Sequence, residues 1–361
     1  FERTRQAHTG LMLVTGYSGI GKSAVVRELY APITASRGMF ACGKFEQYDR
    51  SLPYAPFVDA FQSLLQQLLS EGEEQVLAWR EQFLREMGPS CAVLMDLIPQ
   101  FELITGPLPP AALLPPTETN LRFLRAMRAF VRAFARAEHP LVLFLDDLQW
   151  SDAASMELLR NLTAVDPVAY LFIVGAYRDN EVGPGHPLSL VLKDIELAEY
   201  LHLGPIRPSD VARMLTDALR TPDEKSTQLA ALVHARTGGN PFFIGEFLKA
   251  LHADEHIHFN HQAGAWDWDI ERVRARDIST NVAELLMGKL SRLAPATQAL
   301  LQWAACIGNR FDLHTLLVIT GRPANDIIAE LLAAIADGFV LPMTSDYRLF
   351  EADVEHLEDR I

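Results

Sequence analysis

The chain has 361 residues, more than one ordinary core accommodates, so two or three domains are expected. With 49% hydrophobic and 22% charged residues, and 21 each of Gly and Pro, it has a globular composition that excludes a fibrous or disordered chain. A net charge of -14 argues against a nucleic-acid backbone as the main partner.

Leu11–Thr15 (LMLVT) reads as a strand, and Gly16-Tyr17-Ser18-Gly19-Ile20-Gly21-Lys22-Ser23 follows it. This octet fits GxxxxGK[ST], for which a chance match over this length is about 1%. AVVREL then opens a helix, so the motif has the strand–loop–helix setting it needs. Glycines let successive N–H groups turn inward and form an anion nest. Phosphate contacts are therefore expected from Gly16 through Ala24, with Lys22 charging the β- and γ-phosphates and Ser23 ligating Mg²⁺.

Met39–Lys44 is the second strand-like run. A helical region at about 53–104 and a proline-rich loop at 106–116 form an insertion, read as a lid or partner surface or, by preference, as a structural embellishment. Thr119–Ala137 has an apolar stripe of Leu121, Leu124, Met127, Val131 and Phe134. Its second stripe, Arg122, Arg125, Arg128, Arg132 and Arg136, reads as a solvated face or one that meets acidic segments of the same protein.

Pro140 precedes Leu141–Leu145, a continuous apolar run suited to a strand buried on both faces, and Asp146-Asp147 follow. Asp146 is assigned to the Mg²⁺ shell, and Asp147 to polarising an attacking water. Tyr170–Ala176 and Tyr200–Leu203 complete five strands that alternate with helices, the pattern of a parallel α/β sheet. After the fourth strand, Arg178 would emerge at the carboxyl edge, placed to sense a γ-phosphate or to pair with Asp179 or Glu181. Lys22, Asp147 and Arg178 are the candidate catalytic residues.

Beyond residue 204 helices follow one another without strands, and Gly239-Asn240-Pro241 marks a sharp break between two of them. His252, His256, His258 and His261 fall in a period-two segment, read as a β-hairpin with exposed histidines rather than a metal site. From 278, four helices and a strand-like FVLPM (339–343) suggest a winged helix. Its would-be reading helix, Ala324–Asp337, carries acids and no Lys or Arg, so it is read as a packing module and not a DNA reader.

Cys42, Cys91 and Cys306 are widely spaced and form neither metal nor disulfide pattern, which fits a cytoplasmic setting. No apolar run approaches the roughly 18 residues of a membrane span, and the first residues, FERTR, do not begin a signal peptide. A start without methionine is what a segment of a longer polypeptide would give.

Taken together, GYSGIGKSAVVREL, GKFEQYDRSLPYAPFVDAFQSL, LVLFLDDLQWSDAASMELL, GAYRDNEV, TGGNPFFIGEFLKAL and AACIGNRFDL make the chain resemble the signal-transduction ATPases with numerous domains. These belong to the AAA-related P-loop class. More narrowly, the chain is similar to the ATP-binding segment of large bacterial proteins that join a serine/threonine kinase, this ATPase and a histidine kinase. The resemblance implies a P-loop domain (1–203), a helical lid with the hairpin (204–277) and an incomplete winged-helix-like domain (278–361). It implies that Pro241, in the family's GxP motif, packs on adenine, and that Arg178 is the arginine ending the fourth strand. The family's glycine-arginine box would lie before residue 1.

The implied ligands are ATP or ADP with Mg²⁺, and the implied partners are attached kinase or sensor domains, with self-association left open. The leading reading is a regulatory switch with weak hydrolysis. The alternatives are a productive AAA-type ATPase and the ATPase part of a transcription activator. No guanine-reading NKxD occurs, which disfavours GTP.

Overall fold

Five short apolar runs form strands β1 (Gly10–Thr15), β2 (Met39–Lys44), β3 (Leu141–Asp146), β4 (Leu171–Tyr177) and β5 (Ala198–His202). The structure is a computed structural model that describes residues 1–47, 53–112, 114–221, 223–261, 264–275, 282–308 and 311–343. The strands pair in parallel in the order β2-β3-β4-β1-β5, so the expected α/β class with a parallel sheet is the one adopted. β4 starts one residue later than expected because Tyr170 has φ 60°, a left-handed conformation that a strand does not accept. The chain divides into two compact units, Phe1–Gly204 and Pro205–Ile361.

Alternation along the first unit's strands sorts the side chains into two cores. Leu11, Leu13, Leu141, Leu143, Leu145, Leu171 and Ile173 enter the larger one. Val14, Val142, Phe144, Phe172, Val174 and Ala176 enter the smaller one, with Val26 and Ile33 from the segment that follows the glycine-rich loop. Burial on both faces explains why β3 and β4 read as unbroken apolar runs.

The inserted region has a structural place, as an integral part of the first unit's core. Its longer helices, Ala55–Leu69 and Glu73–Met87, pack with Pro116–Phe134 to supply Phe57, Phe61, Phe83, Phe130 and Phe134 to the larger core, and the short turn Pro99–Phe101 adds Phe101, all fully buried. Phe83 stacks on Phe130 at 5.6 Å between ring centres, and Phe101 meets both edge-on. The insertion therefore fills one face of the sheet. At Gly43 in β2 a Cβ would lie 1.9 Å from the carbonyl oxygen of Pro56, so glycine permits this close approach of strand and helix.

Helix Pro116–Phe134 starts three residues before the expected Thr119, with a proline at its first position, where the missing N–H is not needed. Of the expected stripe, Leu124, Met127, Val131 and Phe134 are buried and Leu121 is exposed, while Ala126, Phe130 and Ala133 are buried as well and widen the packed face. The arginine face meets the protein itself: Arg128 pairs with Asp166 at 2.9 Å and Arg136 with Glu86 at 2.7 Å. Arg122 donates to the carbonyl of Ala112 at 2.6 Å, and Arg125 and Arg132 are exposed.

Among its described residues, the second unit is helical apart from one hairpin. Helices Pro208–Leu219, Asp223–Thr237 and Pro241–Ala253 enclose Val211, Leu215, Leu229, Val233, Phe247 and Leu251. The hairpin joins β6 (Ile257–Asn260) to β7 (Ala265–Trp268), pairing Ile257 with Trp268 and Phe259 with Trp266. Ile257 and Trp268 are buried, while His252, His258 and His261 are exposed. No group of three or more metal-ligating side chains occurs among the described residues.

Helices Pro295–Ile307, Leu313–Thr320 and Ala324–Ala336 close a small cluster of Leu300, Ala304, Leu316 and Ile327. Val282–Arg292 is the helix before them. The strand expected at 339–343 is not formed among the described residues. The N–H groups of Phe339 and Val340 bond instead to the Ala334 carbonyl, closing the end of the last helix. The rest of the expected wing lies outside the described residues. No helix among the described residues is long and apolar enough to cross a membrane.

Candidate functional site

The parallel sheet carries each strand's carboxyl end to one edge, and the residues singled out in the first unit meet there. The loop after β1 turns on Gly16, Gly19 and Gly21, with φ of 144°, 75° and 100°. Side chains rarely adopt these angles. At Gly16 a Cβ would lie 2.5 Å from the Leu203 carbonyl oxygen, because the chain leaving β5 crosses there. At Gly21 a Cβ would meet nothing within 4 Å, so it is the backbone angle that selects glycine. Tyr17, Ser18, Gly19 and Ala24 are exposed, and Gly16 and Ile20 are buried.

Lys22 opens helix Lys22–Arg27 and is 8% exposed. Its Nζ donates to the carbonyls of Gly16 at 2.8 Å and Tyr17 at 3.0 Å, within the loop. Burial lowers its pKa, and the nearby charges of Asp146 and Asp147 work against that shift.

Ser23 Oγ donates to Asp146 Oδ2 at 3.0 Å, so the expected magnesium ligands, 123 positions apart, are adjacent. The Asp147 N–H donates to the other Asp146 oxygen at 3.0 Å. Burial, and then the charge of Asp147, push the Asp146 carboxyl above the usual carboxylate range.

Asp147 is 6% exposed with φ 56°, in the left-handed region that Asp tolerates better than most residues. Its Oδ2 faces Lys44 Nζ at 3.3 Å. Its Oδ1 accepts from Gln149 Nε2 at 2.9 Å and lies 3.7 Å from Arg178 Nε. Arg178 also donates to Glu181 at 2.8 Å, with its guanidinium 4.9 Å from the Trp150 ring centre. Of the two pairings considered for Arg178 from sequence, the one with Glu181 forms and the one with Asp179 does not: Asp147 is its second acidic partner, and Asp179 pairs with His202 at 3.2 Å.

Pro241 lies in the second unit, at the first position of helix Pro241–Ala253. Gly238 and Gly239 precede it at φ 60° and 74°, and the Asn240 side chain caps the helix by accepting from Phe242 N.

Sequence reading assigned no role to Lys44, Gln149 or Trp150. Lys44 left a signal, since it ends a strand-like run as Asp146 does, and β2–β3 register sets it opposite Asp146. Gln149 and Trp150 were in plain view within DDLQWSD, but only pairing of β3 with β4 brings them to Arg178.

Residues 1–174 match the family described as AAA ATPase domain. The chain is 26% identical over 92% of its length to hybrid signal transduction histidine kinase G of Dictyostelium discoideum. It is 20% identical over 96% of its length to the peroxide stress-activated histidine kinase mak3 of Schizosaccharomyces pombe. It spans 12% and 16% of those proteins' own lengths. Among solved structures, a Signal Transduction ATPase with Numerous Domains protein with a tetratricopeptide repeat sensor, from Pyrococcus horikoshii, matches 91% of this chain and 37% of its own at 12% identity, with a TM-score of 0.39. The first unit thus has a parallel α/β sheet and matches an AAA ATPase domain over residues 1–174. The match to an AAA ATPase domain and the similarity to histidine kinases accord with an ATPase segment in a signal-transduction protein.

Proposed function

We propose that the chain is an ATP/ADP-dependent regulatory switch with weak Mg²⁺-dependent hydrolysis, acting on kinase or sensor domains of the same polypeptide. One observation carries this reading: a glycine-turned loop, a buried lysine, a Ser23–Asp146 oxygen pair and Arg178 converge on one sheet edge. The donor set fits the ligand. Ser23 and Asp146 offer the hard oxygens that Mg²⁺ prefers. Lys22, Lys44 and Arg178 offer cations suited to phosphate oxygens, which would compete for them with the carboxylates of Asp147 and Glu181.

In this reading, residues Gly16 to Ala24 cradle the phosphates, and Lys22 exchanges its bonds to the loop carbonyls for phosphate oxygens. Ser23 and Asp146 hold Mg²⁺, which when bound neutralises charge on the β- and γ-phosphates. Asp147 orients the attacking water, and Arg178 answers to the γ-phosphate. For Asp147 to accept a proton or orient water, it must first give up part of its bonding to Lys44, Gln149 and Arg178. That requirement accords with a slow enzyme. The adenine role of Pro241 and attachment to a serine/threonine kinase rest on the family resemblance alone.

Titration with a fluorescent ATP analogue tests the site: the chain should bind ATP with Mg²⁺ in preference to GTP, and Lys22→Ala should remove most of that binding. Equal affinity in the variant would overturn the P-loop role. Small-angle scattering with ADP, with ATP and without nucleotide tests the switch, for which the profiles must differ, since a ligand shifts only an equilibrium whose states it binds unequally.

A further inference from the structure

We propose that Gln149 is a positioning residue that couples Asp147 to Arg178, so that the second acid and the arginine respond to a terminal phosphate as one unit. The proposal rests on the nucleotide-site reading above and names a group that reading does not use.

Gln149 is 4% exposed, and both ends of its amide are engaged. Nε2 donates to Asp147 Oδ1 at 2.9 Å, and Oε1 accepts from the backbone N–H of Arg178 at 3.2 Å. One side chain thus bridges the residues that follow two neighbouring strands, β3 and β4. The orientation of the amide is fixed by chemistry, because a flipped amide would set its oxygen against the carboxylate and its NH₂ against an N–H.

The turn carrying Gln149 is seated on β4 by further contacts. At Gly175 in β4 a Cβ would lie 2.4 Å from Leu148 Cδ1, so the absence of a side chain lets Leu148 settle there. Trp150, on the other side of Gln149, lies against the Arg178 guanidinium. Asp147 itself is held at φ 56°. Leu148, Gln149 and Trp150 therefore each fasten the segment after the acid pair to the strand that delivers the arginine. The Arg178 side chain has three competing neighbours, Asp147, Glu181 and Trp150. A phosphate that drew the guanidinium away would loosen Asp147 on the oxygen that Gln149 also holds. Gln149 would keep that carboxylate aimed while its cationic partner moves.

The test is a double-mutant cycle on the 361-residue chain, measuring Kd for ATP and for ADP with Mg²⁺ in the parent, Gln149→Leu, Arg178→Ala and the double variant. Gln149→Leu should bind ADP within about twofold of the parent and lose about tenfold of its preference for ATP, the scale of one lost hydrogen bond to a charged group. The double variant should lose no more than the larger single loss. Gln149→Glu keeps the shape but sets a carboxylate against Asp147, so it should lose the preference as fully. It carries the cycle if the leucine variant does not fold.

Additive losses, equal weakening of ATP and ADP, or an unchanged preference in Gln149→Leu would each overturn the proposal, since a merely structural role gives those results. A parent that binds ATP and ADP equally would overturn it together with the sensing role of Arg178. Persistence of binding in Lys22→Ala would instead bring down the nucleotide-site reading.

Discussion

The two units are stabilised in different ways, and the difference bears on what each can do. In the first, a sheet whose strands β3 and β4 are buried on both faces is sealed on one side by six fully buried phenylalanines. Its functional side chains project from strand ends that this packing fixes. In the second, the apolar clusters are smaller, so charge pairs, which the first unit has as well, carry a larger share of the links between elements. Glu246 receives hydrogen bonds from Lys249 and Lys289, Lys225 pairs with Asp267, and Arg322 pairs with Glu330. Densely packed interiors have few alternative arrangements, whereas ion pairs and small clusters rearrange at lower cost. The first unit thus has the character of a platform, and the second that of a part whose internal arrangement can shift.

The largest test of this contrast is core truncation. Phe130→Ala, which removes a ring that touches Phe61, Phe83, Phe101 and Phe134, should cost about 3–5 kcal/mol by chemical denaturation. Leu316→Ala in the small helical cluster should cost about 2–3 kcal/mol. A reversed order would break the comparison.

Next is the platform's acid. Asp147→Asn should leave nucleotide binding nearly intact and lower turnover about a hundredfold, close to 2.7 kcal/mol in the barrier. Asp146→Asn should instead weaken the magnesium-dependent part of binding. Hydrolysis by Asp147→Asn at the parent rate would reassign the water-orienting role.

The charge pairs of the second unit predict a pH dependence. Burial alone would push the Glu246 carboxyl up, but hydrogen bonds from Lys289 and Lys249 outweigh it and hold the group below the usual glutamate range. A carboxyl with a depressed folded pKa stabilises the fold above its unfolded pKa, and that contribution is lost as pH falls through the folded value. Glu246→Gln should therefore cost about 2 kcal/mol near pH 7. The difference from the parent should vanish in acid below the ordinary glutamate range. A penalty that does not change with pH would assign the effect to packing.

The smallest effect belongs to Pro241. Pro241→Ala should weaken ADP binding by about 1–2 kcal/mol, the worth of one apolar contact, in a calorimetric titration. No change would remove Pro241 from the adenine site.

The sequence by itself determined the features whose causes are local. Gly16 to Ser23 could be read directly because a phosphate nest calls for spaced glycines, a lysine and a hydroxyl within one contiguous segment. β3 and its two acids were legible because burial on both faces demands an unbroken apolar run before the chain emerges. The hairpin at 257–268 followed from period-two alternation, and the helices from 295 to 336 from their apolar spacing. Tertiary structure decided whatever depends on which strand lies beside which. Lys44, Asp147, Gln149 and Arg178 come from three strand ends, separated by a long insertion and a crossover helix. Only the β2-β3-β4 order and its register gather the other three side chains within 2.9–3.7 Å of Asp147. The insertion's place in the core was hidden for the same reason. Helical periodicity shows that a face is apolar, but not what covers it, and here the sheet and the phenylalanines of distant helices do.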